Sequence, residues 1–256
     1  ISLNKLYFLK AKLLQLPWLS SHLMQFPPVE SALSEPDGLL AAGGDLSPAR
    51  LLSAYQQGIF PWYEDPQPIL WWSPNPRAVI QPDKLHISRS LRKTLRNTTI
   101  TVRFDTAFTE VIAGCAELSQ NRDGTWIGSD MLAAYTELHK KGWAHSVEAW
   151  QNDELVGGLY GIAIGRVFFG ESMFSRVSNA SKIAMAHLAG QLTNWNFKLI
   201  DCQVSSPHIL SLGAEMMPRE LFSAILANHA LPSADIVSNA TRWQLDWRYN
   251  DHHGQR

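Results

Sequence analysis

The chain has 256 residues, 45% apolar and 18% charged, with 22 Lys+Arg against 23 Asp+Glu and a net charge of −1. That is globular composition, enough for one large domain or a typical domain plus a smaller one, and it excludes a disordered chain. No run of about 18 apolar residues occurs, which excludes a membrane-spanning helix.

In chain order, Leu3 to Leu19 is leucine-rich but interrupted by Lys5, Lys10 and Lys12, and no small-residue cleavage site follows. No signal peptide is expected. Phe26-Pro27-Pro28, Glu35-Pro36-Asp37-Gly38 and Gly43-Gly44 make the amino-terminal part loop-rich. Its clearest element is a helix with Ser47 as N-cap, Pro48 at the first helical position, Leu51, Leu52 and Tyr55 as the apolar face, and Gly58 as the stop. Phe60 to Pro76, with Trp62, Tyr63, Trp71 and Trp72, reads as an aromatic connector pinned by prolines, and a boundary is expected near Arg77.

Beyond it, Ser88 caps a short helix that turns Leu91 and Leu95 inward, and Thr99 to Asp105 alternates as a strand. Asp105 caps a helix carrying Phe108, Val111, Ile112 and Cys115 at helical spacing, and Ser129 or Asp130 opens another that Gly142 closes. Strands follow at Ala144–Trp150, Glu154–Ile164 and Val167–Phe174, joined as hairpins at Asn152-Asp153 and Gly165-Arg166. Asn179 caps a helix to about Trp195, Lys198–Val204 is a strand, and Pro218 starts a last helix. Helices, an antiparallel meander, a helix and a further strand predict an α+β fold of the order seen in acetyltransferase-like (GNAT) domains. The chain divides into a small amino-terminal domain, 1–77, and a GNAT-like domain, 78–256.

Four constellations invite chemistry. Strand alternation puts Asp201 and Gln203 on one face. An acid and an amide there either cap neighbouring backbone groups or form a polar notch that orients a reacting group. Glu171, sharing a face with Phe169 and Met173, either pairs with a structural Arg or Lys or waits for a cationic ligand. Gly170-Glu171-Ser172-Met173-Phe174 approaches the G-x-S-x-G nucleophile elbow but fails at Phe174.

From Lys84 to Arg103 there are six basic residues and no acid, so with a net charge of −1 the remainder carries −7. Arg89, Arg92, Lys93 and Arg96 fall on one helical face, which is either a solvated surface or a contact for phosphates. Trp62 and Trp126 are either core or platforms on which nucleobases stack. The cysteines, Cys115 and Cys202, allow at most one disulfide and fit a reduced, cytosolic setting, and no His or Cys spacing suits a metal. The glycines at 157, 158, 161 and 165 read as close backbone packing within the meander.

Taken together, Glu35 to Pro48, Gly58-Ile59-Phe60-Pro61-Trp62, Leu70 to Pro74 with Pro76-Arg77, Gly170 to Ser175 and Leu199 to Gln203 resemble the bacterial leucyl/phenylalanyl-tRNA–protein transferases. The likeness runs from about Phe26 to Arg219. It implies transfer of Leu or Phe from aminoacyl-tRNA to proteins with an amino-terminal Arg or Lys, in N-degron protein degradation. A cytoplasmic monomer is expected, with no cofactor, metal or membrane partner.

By the same resemblance, Asp201 and Gln203 match the catalytic pair, and Glu171 matches the acid that meets the basic acceptor. Trp62 and Trp126 match tryptophans at the charged 3′ end of the tRNA, and Arg89, Arg92, Lys93 and Arg96 match its basic cluster. Leu159, Phe168 and Ile200 should line the side-chain pocket, with Leu159 standing where Met is expected. The amino-terminal extension and the segment after Leu231 match poorly and receive no role.

Two rivals remain. An acyl-CoA-dependent N-acetyltransferase would need a glycine-rich turn before the Asn179 helix, and Ser175 to Ala180 contains no glycine. A non-enzymatic RNA-binding module would leave Glu171, Asp201 and Gln203 without purpose.

Overall fold

The computed structural model describes residues 16–120, 127–231 and 243–249. Two sheets organise them. The smaller is built from the loop-rich, proline-pinned region: β1 (Trp18–Leu19), β2 (Leu39–Gly43), β3 (Phe60–Pro61) and β4 (Leu70–Trp72), in the order β1-β2-β4-β3. These strands are too short to show a period of two, so the sequence read them as loop and connector. Their burial holds them together. Trp71 is fully buried, donates from Nε1 to the Gly43 carbonyl at 2.9 Å and meets Phe26 edge-on. Helix α1 (Pro48–Gln56) starts as expected, with the Ser47 hydroxyl accepting from the Arg50 N–H.

The chain enters the larger sheet at Arg77. Its strands are β5 (Arg77–Ile80), β6 (Thr101–Phe104), β7 (Ala144–Gln151), β8 (Glu154–Ile164), β9 (Val167–Ser175), β10 (Leu199–Gln203) and β11 (Glu215–Met217), in the order β11-β5-β10-β9-β8-β7-β6. β7, β8 and β9 form the antiparallel meander read from the sequence, and β10 returns parallel to β9. This is the α+β, GNAT-like order expected. Helices α2 (Arg89–Asn97), α3 (Phe108–Gln120), α4 (Ser129–Lys140), α5 (Ala180–Asn194), α6 (Pro207–Ser211) and α7 (Arg219–His229) surround it.

Several local expectations need correcting. Asn179 does precede α5, but in a left-handed conformation with no side-chain cap; the Ser175 hydroxyl accepts from the Ser181 N–H instead. Asp105 is engaged by β7, accepting from the Ser146 N–H at 2.8 Å and lying 2.7 Å from His145 Nδ1. Pro218 is the N-cap of α7 rather than its first residue.

Two cores flank the large sheet. One joins Leu51, Tyr55 and Trp71 of the amino-terminal part to Tyr135, Tyr160, Phe169 and Phe222, so both sheets share it. The other contains Leu159, Phe168, Met185, Leu188, Ile200 and Trp243. α5 is covered on both sides: Met185 and Leu188 face this second core, while Ile183 and Ala186 pack on Leu91 and Leu95 of α2. Close packing on two sides suits its small buried residues, Ala180, Ala184, Ala186 and Ala189.

Candidate active site

A cleft of about 830 Å³ opens beside the line where β9 and β10 part. Its wall includes Trp62, Tyr160, Glu171, Gln203 and the apolar Leu159, Phe168, Met185, Leu188 and Ile200. The volume falls in the range of sites for small organic groups. Of the residues singled out from the sequence, Trp62, Glu171, Gln203, Leu159, Phe168 and Ile200 meet here. Asp201 does not line the cleft, and Trp126 lies outside the described residues. Arg89, Arg92, Lys93 and Arg96 sit on α2, separated from the cleft by the thickness of α5.

Glu171 and Gln203 both stand at breaks in strand alternation. Tyr160 pairs with Ser172 and Gly161 with Gly170, leaving Glu171 as the extra residue of a bulge. Met173, expected beside Glu171, therefore packs in the second core, while Glu171 turns to the first. In β10 the register shifts between Asp201 and Gln203, and Gln203 takes a φ of 58°. The shared face expected for Asp201 and Gln203 therefore does not form. Bulges re-aim side chains, and they recur next to active sites.

Asp201 is fully buried and held by Arg77, whose Nε and Nη2 donate to its two oxygens at 2.8 and 2.7 Å. The same Oδ1 accepts from the backbone N–H of Gln203 at 3.0 Å. Arg77 also donates to the Gly58 carbonyl and lies between the Phe60 and Phe222 rings. The carboxylate thus fixes the turn that carries Gln203, and its own lone pairs are engaged. Gln203 Nε2 has no hydrogen-bond partner among the described residues.

Glu171 accepts from the Tyr55 hydroxyl at 2.8 Å and from the Tyr135 hydroxyl at 2.9 Å, and the two phenols also contact each other. Burial pushes its pKa up to about 7, opposed by the two phenolic hydrogen bonds, with Asp201 adding to the rise and Arg77 reducing it. Burial also lifts both phenols well above their usual value, so they remain donors. No cation is paired with Glu171 among the described residues.

From the sequence Tyr55 read only as part of a helix's apolar face, and Tyr135 was not singled out. Removing either hydroxyl, by Tyr55→Phe or Tyr135→Phe, withdraws a donor from the carboxylate. The Glu171 pKa is then expected to move above 7, measurable by titrating the carboxyl carbon resonance. Because the folded value exceeds the unfolded one, protonated Glu171 favours folding below about pH 4.5, and that stabilisation is lost as pH rises through about 7.

Both cysteines are free thiols, and among the described residues no group of three or more His, Cys, Asp or Glu could hold a metal. Nor is any helix among them long and apolar enough to cross a membrane.

Residues 79–227 match the family model described as leucyl/phenylalanyl-tRNA protein transferase, and residues 44–75 match that of its N-terminal domain. A leucyl/phenylalanyl-tRNA–protein transferase of Saccharophagus degradans is 55% identical over 238 residues, covering 93% of this chain and 98% of the relative. One of Aromatoleum aromaticum is 62% identical over 213 residues, covering 83% and 90%. Among solved structures, a GCN5-related N-acetyltransferase from Kribbella flavida aligns with a TM-score of 0.38 at 12% identity, over 64% of this chain and 58% of that one. With more than half of its length matched by the family model and relatives of this identity along nearly all of it, the chain belongs to the leucyl/phenylalanyl-tRNA–protein transferase family.

Proposed function

We propose that this enzyme moves Leu or Phe, and also Met, from aminoacyl-tRNA to the α-amine of proteins that begin with Arg or Lys. The product enters N-degron degradation, and the enzyme works as a monomer in the cytoplasm. The observation that carries this reading is the meeting in one cleft of an apolar wall with a carboxylate, Glu171, and an amide nitrogen, Gln203 Nε2, of which among the described residues the first has no paired cation and the second no hydrogen-bond partner. We assign residues 1–77 and 78–256 as two domains, the first lending Trp62 and Tyr55 to the site in the second.

In this reading the donor side chain lies against Leu159, Phe168 and Ile200, and Trp62 stacks on the 3′ end of the tRNA. Trp126 belongs to the same role by its match to the family. Arg89, Arg92, Lys93 and Arg96 meet phosphates further along the tRNA. The cationic side chain of the acceptor pairs with Glu171, whose ionised form that contact favours.

The acceptor α-amine has an ordinary pKa of about 7.7–8.0, so a useful fraction is unprotonated at neutral pH. Its nitrogen attacks the ester carbonyl carbon; the new C–N bond forms, the bond to the ribose oxygen breaks, and the amine proton leaves with that oxygen. Holding the two reactants together supplies about 7–11 kcal/mol of the barrier. Gln203 orients the amine and offers an N–H to the carbonyl oxygen as it gains charge. Asp201 positions Gln203, with both of its oxygens engaged by Arg77.

The test is transfer of labelled Leu from charged tRNA to peptides that differ only in the first residue. Label is expected on Arg- and Lys-peptides and not on an Ala-peptide. Labelling from acetyl-CoA instead, or none from charged tRNA, overturns the assignment. An apolar pocket discriminates by only about 1–3 kcal/mol per methylene, so Met-tRNA should serve as donor while β-branched Ile and Val serve worse.

Trp62 is 42% exposed and its ring meets Trp72 at 5.6 Å, so Trp62→Ala should lower the unfolding midpoint only modestly. Lost stacking should weaken donor binding by about 1–3 kcal/mol. Donor KM and thermal unfolding, measured on the same preparation, check both halves.

A further inference from the structure

Residues 243–249 received no role from the sequence, yet they are strapped across the outer side of α5. Gln191 Oε1 accepts the backbone N–H groups of Asp246 at 3.0 Å and Trp247 at 2.9 Å. Trp247 lies on Gly190, where even a Cβ would overlap the indole, and its ring meets His187 edge-on at 5.2 Å. Tyr249 packs against Leu91 and Leu95 under α2. At the other end Trp243 stacks on His145 with centroids 3.7 Å apart and meets Trp195 edge-on at 5.1 Å.

Trp243 also lies 6.0 Å, centroid to centroid, from the fully buried Phe168. Phe168 lines the cleft, so this one ring has the strap behind it and the cleft in front. Trp247 likewise seats on the face of α5 opposite Met185 and Leu188, which also line the cleft. Protein interiors are close-packed and yield little, so a side chain that fixes the back of a pocket wall sets the space at its front.

We propose that the strap 243–249 determines which donor side chain the cleft accepts, with Trp243 as the positioning residue of Phe168 and Trp247 as the seat that fixes α5. The inference rests on the cleft being the aminoacyl site. The strap makes no contact with the acceptor in this account, so its loss should alter choice of donor and spare acceptor binding.

The experiment compares kcat/KM for Phe-tRNA and Leu-tRNA, together with KM for an Arg-peptide, in four full-length proteins held below their unfolding transitions. Trp243→Ala opens room behind Phe168 and is expected to raise the Phe/Leu ratio on the order of 10-fold, with acceptor KM unchanged. Trp243→Phe should restore a ratio near that of the unaltered enzyme. Gly190→Ala keeps every cleft residue but displaces Trp247, and should shift the ratio in the same direction, less far. It keeps the test decisive if Trp243→Ala does not fold.

An unchanged ratio in the folded variants, or an equal loss of rate with both donors, overturns the proposal and leaves the strap a purely structural clasp. Failure of the unaltered enzyme to use either donor would instead refute the assignment of the cleft.

Discussion

Arg77→Met is expected to destabilise the fold by about 3–5 kcal/mol, because it strands the Asp201 carboxylate without its cation. Arg77 is 1% exposed and Asp201 0%, so water cannot take over the solvation of the charge. The Gly58 carbonyl loses its donor at the same time. Urea unfolding with an unchanged slope would report this as a lower midpoint. Replacing both partners, Arg77→Met with Asp201→Leu, should recover most of the stability, since an apolar pair of similar volume carries no desolvation cost. It should not recover transfer, because the Gln203 N–H then has no acceptor to fix its turn. A single variant within about 1 kcal/mol of the parent would show that the ion pair does not anchor this region.

The second large effect falls on rate and spares stability. Gln203→Ala should lower single-turnover transfer about 10²–10³-fold, the range seen when one donor to a developing oxyanion is removed. Its side-chain Nε2 makes no internal hydrogen bond among the described residues, so the unfolding midpoint should move little. Asp201→Asn should behave differently and lose both rate and stability, because it weakens the pairing with Arg77 and the hold on the turn together. Full rate in both variants would reduce Asp201 and Gln203 to a structural pair.

Local signals carried much of the fold into view. Ser47 and Ser88 cap helices where hydroxyls precede apolar faces, and the strand Glu154–Ile164 has the bounds expected between its two hairpin joints. The smaller sheet stayed hidden because strands of two to five residues are too short to show a period. Within the candidate site, residue types were legible and directions were not. Period-two reasoning cannot register an inserted residue, and both Glu171 and Gln203 stand at such breaks. Tyr55 and Tyr135 were silent for another reason: a phenol on a helix's apolar face looks like core until the third partner arrives from β9. The clasp of Gln191 on the backbone of Asp246 and Trp247 is long-range and leaves no local trace.

The phenol pair around Glu171 has a consequence for how the molecule can be divided. One hydroxyl comes from α1, at the start of the chain, and the other from α4, well past the crossing at Arg77. The piece 78–256 expressed by itself would carry the acid with half of its hydrogen-bonding complement and an open flank where α1 packs. An amino-terminal segment lacking the Tyr55 hydroxyl would therefore alter the acidity of a group in the other half. The acid is therefore complete only when both parts of the chain are present.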